Sequence, residues 1–274
     1  RRNAFAWERV WRRPVLALEP WRDPWDLEGT RRENRAESLP PRSLDECITE
    51  SPFVDPTARN VRRMMRFLGS GIAQDRLYAI AHLNRMGRAA AAEVPAVVPA
   101  LIRSLRCEGL ADGQMGRNRT VPTGIWIRAG TALSRMEDLA VPGIVEMIQR
   151  EWREERDTNW GWTTTQLALI QGIQALAWIG RSGARERIDS SMRSQASSQL
   201  SRVMESLLRD REPNNVSVSL VVATIQALGE FGEPGVAPLL QTALERWRNA
   251  SCFFEGSVSD NVTRALLRIT TRMR

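Results

Sequence analysis

The chain has 274 residues, 42% of them hydrophobic and 26% charged, and carries a formal net charge of +7. This is the composition of an ordinary folded domain, and no stretch reaches the roughly 18 uninterrupted apolar residues of a membrane span. All 39 basic residues are arginines, which excludes a phosphate-loop lysine and Schiff-base chemistry. The chain begins at Arg1 rather than at a methionine. We therefore expect a processed or trimmed segment, upstream of which a targeting or anchor sequence could have stood, and localisation stays open.

Residues that commonly bind metals are scarce. The single histidine, His82, lies among apolar neighbours at helical spacing, which favours a hydrogen-bonded structural role over a catalytic one. The three cysteines are far apart and have no CxxC spacing: Cys47, Cys107 and Cys252. Neither a zinc site nor a disulfide framework is indicated, and we predict no catalytic, cofactor or metal residues.

Residues 1–55 are predicted to form an irregular arm rich in tryptophan, arginine and proline. They lack a repeat period, and four tryptophans fall among the first 25 residues: Trp7, Trp11, Trp21 and Trp25. Large aromatic side chains on a segment without its own core need a surface to cover them. The arm either caps the rest of the chain or contacts a membrane interface or a partner protein.

A stripe of arginines follows the arm. Positions i, i+3, i+4 and i+7 of a predicted helix are Arg59, Arg62, Arg63 and Arg66. The other side of that helix is predicted to carry Val61, Met65 and Leu68. Like charges at this spacing oppose the helix by about 0.2–0.5 kcal/mol per pair. A negatively charged partner would remove that repulsion.

Three partners fit these guanidinium groups, which suit phosphate and carboxylate equally. They are a nucleic-acid backbone, an acidic protein, and the chain's own segment 14–55, whose net charge is −5. The tethered segment is favoured among the three because its effective concentration is high. A solvated stripe with no partner is the remaining alternative.

A nine-residue pattern then occurs five times. Small and apolar residues precede a leucine, and the last residue of the pattern is where a helix is expected to end. The copies are AIAHLNRMG (79–87), AGTALSRME (129–137), GIQALAWIG (172–180), TIQALGEFG (224–232) and VTRALLRIT (262–270). The leucines are 50, 43, 52 and 38 residues apart. Such periods are typical of stacked pairs of helices.

Each copy predicts a first helix that ends at a glycine in the left-handed conformation, as at Gly87, Gly180 and Gly232. A second helix follows, with a proline in its first turn. These second helices are predicted at 93–105, 140–152 and 235–247, with Pro99, Pro142 and Pro238. The third repeat lacks the proline, and its second helix is predicted at 197–210.

Three long connections join each second helix to the next first helix, at 107–124, 153–165 and 248–261. In a regular array they would emerge along one edge, where functional insertions usually collect. They carry side chains enriched at interfaces: Arg117, Arg119, Trp160, Trp162, Phe253 and Phe254. These residues either bind a partner or fold back to seal the core.

The pairing of an AxxxLGxxG-type first helix with a V-P-x-L opening, clearest in TIQALGEFGEPGVAPLLQTALE (224–245), resembles the short bacterial HEAT repeats of the phycobilisome-lyase type. The resemblance covers about residues 57–274. It implies an all-α fold, a right-handed α-α superhelix of about five helical hairpins over 56–274. Glu137 and Thr270 stand where that family has glycine.

Proteins of this family mostly bind other proteins, some bind nucleic acid, and a few are enzymes. The di-iron hydroxylase branch needs several His-Glu pairs, which one histidine cannot supply. No shared motif marks the lyase or glycosylase chemistry of related folds, although Trp126 and Arg128 match a glycosylase in residue type. We predict a non-enzymatic protein-binding scaffold. The alternative is a protein that grips nucleic-acid backbone through the arginine stripe, and membrane contact is expected only through the arm.

Overall fold

A computed structural model describes residues 55–107, 123–154, 164–209, 215–248, 250–252 and 256–272. Over these ranges the fold is helical, with eleven α-helices and a single two-residue antiparallel strand pair. The predicted all-α class is therefore confirmed. Residues Pro56–Arg274 form a compact unit. The predicted arm, 1–55, lies outside the described residues except for its last residue.

The described helices vary in length from six to twenty residues. In chain order they are α1 (Ala58–Leu68), α2 (Ala73–Met86), α3 (Arg88–Glu93), α4 (Val97–Leu105), α5 (Thr123–Arg135), α6 (Val141–Glu154), α7 (Thr164–Arg181), α8 (Ser190–Arg209), α9 (Asn215–Phe231), α10 (Ala237–Trp247) and α11 (Val258–Thr271). Short 3-10 turns occupy Glu137–Ala140, Ala184–Arg187 and Pro234–Val236. The strands β1 (Ser251–Cys252) and β2 (Gly256–Ser257) pair antiparallel just before α11.

The five copies of the leucine pattern lie in α2, α5, α7, α9 and α11, which we call the first row. Each helix of this row contacts the next one in chain order. The pattern leucines of the first four are completely buried: Leu83, Leu133, Leu176 and Leu228. Leu266 is only partly covered, since α11 is the last described helix of the row. The leucine pattern thus marks helix-to-helix contacts within one row.

The second row consists of α1, α4, α6, α8 and α10, again in contact in chain order. Each of its helices packs extensively on the first-row helix that follows it in the chain, as α4 does on α5 and α8 on α9. The two helices that flank each short turn, such as α5 and α6, share few contacts. The expectation that a closely packed hairpin consists of a first helix and the second helix after it is therefore wrong. Each close hairpin instead joins a second-row helix to the first-row helix that follows it.

The prediction that first-row helices end at a left-handed glycine is only partly right. Gly87 has a positive φ of 57°, but Gly180 lies inside α7, and the left-handed residue after that helix is Gly183 with φ 79°. Gly232 does not have a positive φ. Glu137, by contrast, has a φ of 56° although it carries a side chain. A glycine-like backbone is thus found at a position where the resemblance predicts a glycine.

Helix boundaries depart from prediction in two second-row segments. The helix predicted at 93–105 starts only at Val97, after the separate short helix α3, and the helix predicted at 197–210 starts earlier, at Ser190. The three prolines lie in the first turns of their helices, as predicted, because the missing N–H has no partner to lose there. These are Pro99 in α4, Pro142 in α6 and Pro238 in α10.

The core lies along the first row. In α7 and α9 nearly every described side chain is buried, which suits helices that are apolar on all sides. The second row is half-covered, with one buried and one exposed face. None of the described helices has the length and apolarity needed to cross a membrane. The exposed face of the second row is therefore the more accessible of the two for binding.

Candidate functional site on the second row of helices

The structure places the four predicted arginines on α1. Arg59, Arg62 and Arg66 are exposed, while Arg63 is half-buried. The covered face of α1 differs from prediction, because the buried residues are Val61, Met64, Phe67 and Leu68, and Met65 is half-buried. The remaining predicted residues lie outside the described ranges: Arg117, Arg119, Trp160, Trp162, Phe253 and Phe254.

Local sequence explains why α1 forms despite its charge repulsion. The hydroxyl of Thr57 accepts a hydrogen bond from the backbone N–H of Asn60 at 3.3 Å and caps the helix. The last turn carries Arg66, where the helix dipole favours a cation. No acid lies in the first turn of α1. Arg59 and Arg62 therefore have no compensating charge within the helix.

The neighbouring second-row helix also carries an exposed arginine. Arg103, exposed in the last turn of α4, lies in the helix next to α1 in the row. Neither helix contains an acidic residue. Among the described carboxylates none forms an ion pair with Arg59, Arg62, Arg66 or Arg103, and we call these four residues the basic surface.

A groove of about 300 Å³ lies further along the same row, between α6 and α8. Its wall includes the indole of Trp152, which is 8% exposed. Glu205 and Arg209 lie 4.0 Å apart on the α8 side, one helical turn from each other. The other lining residues are Gln149, Gln199, Arg202 and Ser206. The groove is therefore polar and of mixed charge.

A buried carboxylate that sequence reasoning missed ties α4 to α6. The side chain of Glu151 is fully buried and forms ion pairs with Arg106, just after α4, and with Arg150, whose Nη2 lies 3.1 Å from Oε1. A buried carboxylate is tolerated only when it is paired in this way. Glu151 thus fixes the spacing between α4, which carries Arg103 of the basic surface, and α6, which lines the groove. The adjacent Glu-Trp pair in the sequence gave no signal of this role.

His82 and Cys107 have no arrangement that suggests chemistry. His82 is completely buried, its ring centroid lies 4.4 Å from that of Tyr78, and neither ring nitrogen has a hydrogen-bond partner among the described residues. Burial, with a smaller contribution from Arg85, lowers the pKa of His82 to about 4. The expectation that His82 is hydrogen-bonded is therefore wrong for the described residues.

Burial also raises the pKa of the Cys107 thiol to about 11, so it stays protonated at neutral pH. In the described part of the chain no three His, Cys, Asp or Glu side chains come together as metal ligands would.

Comparisons of the chain with protein-family models, curated proteins and solved structures found no match. What this surface binds must therefore be inferred from its own chemistry.

Proposed function

We propose that this chain is a non-enzymatic scaffold of the HEAT-repeat type, built as a right-handed superhelix of about five helical hairpins, that binds another protein. Two rows of helices, each contacting the next in chain order, support this assignment. In such an array each repeat contacts only its neighbours, and the row of exposed helix faces offers an extended binding surface.

The basic surface carries the proposal. Arg59, Arg62 and Arg66 are held on consecutive turns of one helix, exposed and without an ion pair to a described carboxylate. Guanidinium groups form bidentate hydrogen bonds with carboxylates, which are stronger than neutral hydrogen bonds. An acidic segment of a partner would gain these bonds and also relieve the repulsion within α1.

A nucleic-acid backbone is the second candidate, favoured by the complete absence of acids from α1 and α4. Phosphates spaced along a backbone would meet several guanidinium groups at once. Neutralising about three phosphates predicts roughly a 40-fold loss of affinity between about 50 and 200 mM salt.

The predicted cover by the acidic segment 14–55 and the role of the long connections fall on residues outside the described ranges, and they stay predictions.

Binding to polyglutamate and to a short DNA duplex tests both candidates. The variant Arg59→Gln, Arg62→Gln and Arg66→Gln removes three charges from the basic surface. A matched control removes three exposed arginines that lie elsewhere and form no ion pair with described residues: Arg135→Gln, Arg248→Gln and Arg264→Gln. Glutamine keeps a good helix former at each position.

We expect the first variant to bind polyglutamate at least about tenfold more weakly than the wild type, and the control to bind it nearly normally. Circular dichroism checks that both variants fold. An equal loss in both variants would mean that net charge alone attracts the polymer, which would overturn the proposal. DNA binding that is tighter than polyglutamate binding, and is lost only in the first variant, would favour the nucleic-acid candidate.

A further inference from the structure

A second concentration of arginines lies away from the second-row face, around Glu230 near the end of α9. Arg268 of α11 places its Nη1 2.5 Å from Glu230 Oε1, and Arg181 at the end of α7 places its Nε 3.5 Å from the same oxygen. Arg272, just after α11, donates to the backbone carbonyls of Gly229 and Glu230. The carboxylate of Glu230 is largely buried by this packing.

Arg185 is the fourth arginine of this group and lies in the turn after α7. Its Nε is buried and has no hydrogen-bond partner among the described residues. Burial is the main cause that lowers the pKa of both Arg185 and Arg272. Repulsion from Arg193 adds to it for Arg185, and repulsion from Arg185 and Arg268 adds to it for Arg272. For Arg272 one of these arginines is Arg185 itself, so the two guanidinium groups repel each other.

Charge is therefore out of balance around Glu230. Among the described residues, the carboxylate of Glu230 forms ion pairs with Arg181 and Arg268 and also attracts Arg185 and Arg272, while exposed Glu186 attracts Arg185. We call these four residues the arginine cluster: Arg181, Arg185, Arg268 and Arg272. Capping of the last carbonyls of α9 explains Arg272. It does not explain Arg185, which is partly buried, repelled by Arg193 and left with an unused donor among the described residues.

We propose that the arginine cluster binds a phosphate-type oxyanion, held chiefly by Arg185 and Arg272 at the point where α7, α9 and α11 end. A dianion with three or four acceptor oxygens would offset the excess positive charge and supply acceptors for the guanidinium group of Arg185. Forked guanidinium groups match such an anion better than isolated ammonium groups do. Half-exposed Arg181 and Arg268, with side chains 36% and 37% exposed, leave the cluster open to solvent.

Thermal unfolding with increasing inorganic phosphate, exchanged for chloride at constant ionic strength, tests this site. The wild type should show a rise in Tm that saturates with phosphate concentration, because a ligand that binds only the folded state stabilises it. Arg185→Gln should weaken the fitted Kd at least about tenfold. Arg264→Gln removes an exposed arginine one turn before Arg268 in the same helix and should leave the Kd unchanged.

A rise that does not saturate and is equal in all three proteins would be a general salt effect and would overturn the proposal. Should Arg185→Gln fail to fold, Arg181→Gln is the substitute, since that side chain is more exposed. A phosphoserine peptide then identifies the source of the anion. If this peptide binds at least tenfold more tightly than inorganic phosphate does, the anion belongs to a partner chain. If the two bind equally, the anion is a free ion. The test does not involve the basic surface, so it stands or falls independently of the proposed scaffold function.

Discussion

The guanidinium of Arg88 donates two hydrogen bonds to the carboxylate of Asp138, 50 residues further along the chain, at 2.8 and 3.1 Å. Arg187, 49 residues further on, donates to the same carboxylate at 3.3 Å and also pairs with Glu137. These residues lie in α3 and in the turns at 137–140 and 184–187, which contact one another in that order. Ion pairs therefore link three successive turns along one edge.

Asp138→Asn should lower the free energy of unfolding by about 1 kcal/mol at neutral pH, because the side chain is mostly buried between two arginines. Hydrogen bonds to Arg88 are the main cause that lowers the pKa of Asp138, with a further contribution from Arg187. A carboxyl group whose pKa is lower in the folded state stabilises the fold above its unfolded pKa of about 3.9.

The difference between wild type and variant should therefore be constant above about pH 5 and shrink as the pH falls below about 4. Urea denaturation at several pH values measures it. Glu146→Gln, at an exposed position on α6, is the control and should leave stability unchanged. A difference between wild type and Asp138→Asn that does not change with pH would show that the carboxylate charge is not the cause.

Substitutions of Glu137 separate backbone strain from ion pairing. Its φ of 56° lies in the left-handed region, which costs a residue with a side chain about 1–2 kcal/mol. Glu137→Gly and Glu137→Ala both lose the pair with Arg187, but only glycine relieves the strain. We expect the glycine variant to be more stable by about 1 kcal/mol, the reverse of the usual order in helices. Equal denaturation midpoints would contradict this account of the turn.

His82→Phe should remove a pH dependence that the wild type shows. Buried His82 is neutral, with its pKa lowered to about 4 from its ordinary value of 6.5. Between these values the unfolded chain binds the proton more readily, so the wild type loses stability as the pH falls from about 6.5 to about 4. The loss is about 2–3 kcal/mol. Phenylalanine keeps a ring against Tyr78 and has no proton to bind.

Denaturation of the two proteins at pH 7, 5.5 and 4.5 compares their slopes. The phenylalanine variant should also be the more stable at pH 7, since both nitrogens of His82 are buried without a partner among the described residues. Parallel pH profiles for the two proteins would refute the assignment.

Gly229 permits a close approach of α9 to α11. A Cβ at this position would lie 2.9 Å from the Cβ and 3.0 Å from the Cα of Ala265, and a backbone atom cannot move aside as a flexible side chain can. Gly235, in the turn after α9, has nothing within 4 Å of a built Cβ. Gly229→Ala should therefore be less stable than Gly235→Ala by about 2 kcal/mol. Thermal denaturation compares the pair, and similar Tm values would show that the two helices can separate at low cost.

Much of the helical pattern can be predicted from sequence because each first-row helix carries its own signal. Leu176 and Leu228 lie in segments that are apolar on all sides, and these segments become the most completely buried helices. Proline positions such as Pro142 fix the starts of second-row helices for a local, steric reason. The pairing of helices is different. A repeating sequence has no natural starting point, so periodicity cannot tell which two neighbours pack as a hairpin.

The candidate site, too, can be predicted from the sequence only in part. Exposure of Arg59, Arg62 and Arg66 follows from helical spacing alone, whereas Glu151 and Glu230 gave no signal. Two of their partners come from distant parts of the chain: Arg106 is 45 residues from Glu151, and Arg268 is 38 residues from Glu230. Which side chains meet at that distance depends on the register between helices. That register is set by packing rather than by any local motif.

Because each close hairpin pairs a second-row helix with the first-row helix after it, the cooperative unit of this protein is out of phase with its visible sequence repeat. A fragment cut after Leu105 would separate α4 from the helix that covers it, while one cut at the turn 182–183 would keep α6 with α7 and divide the chain between hairpins. Engineered shortening or lengthening of the protein should therefore exchange blocks bounded by the short turns.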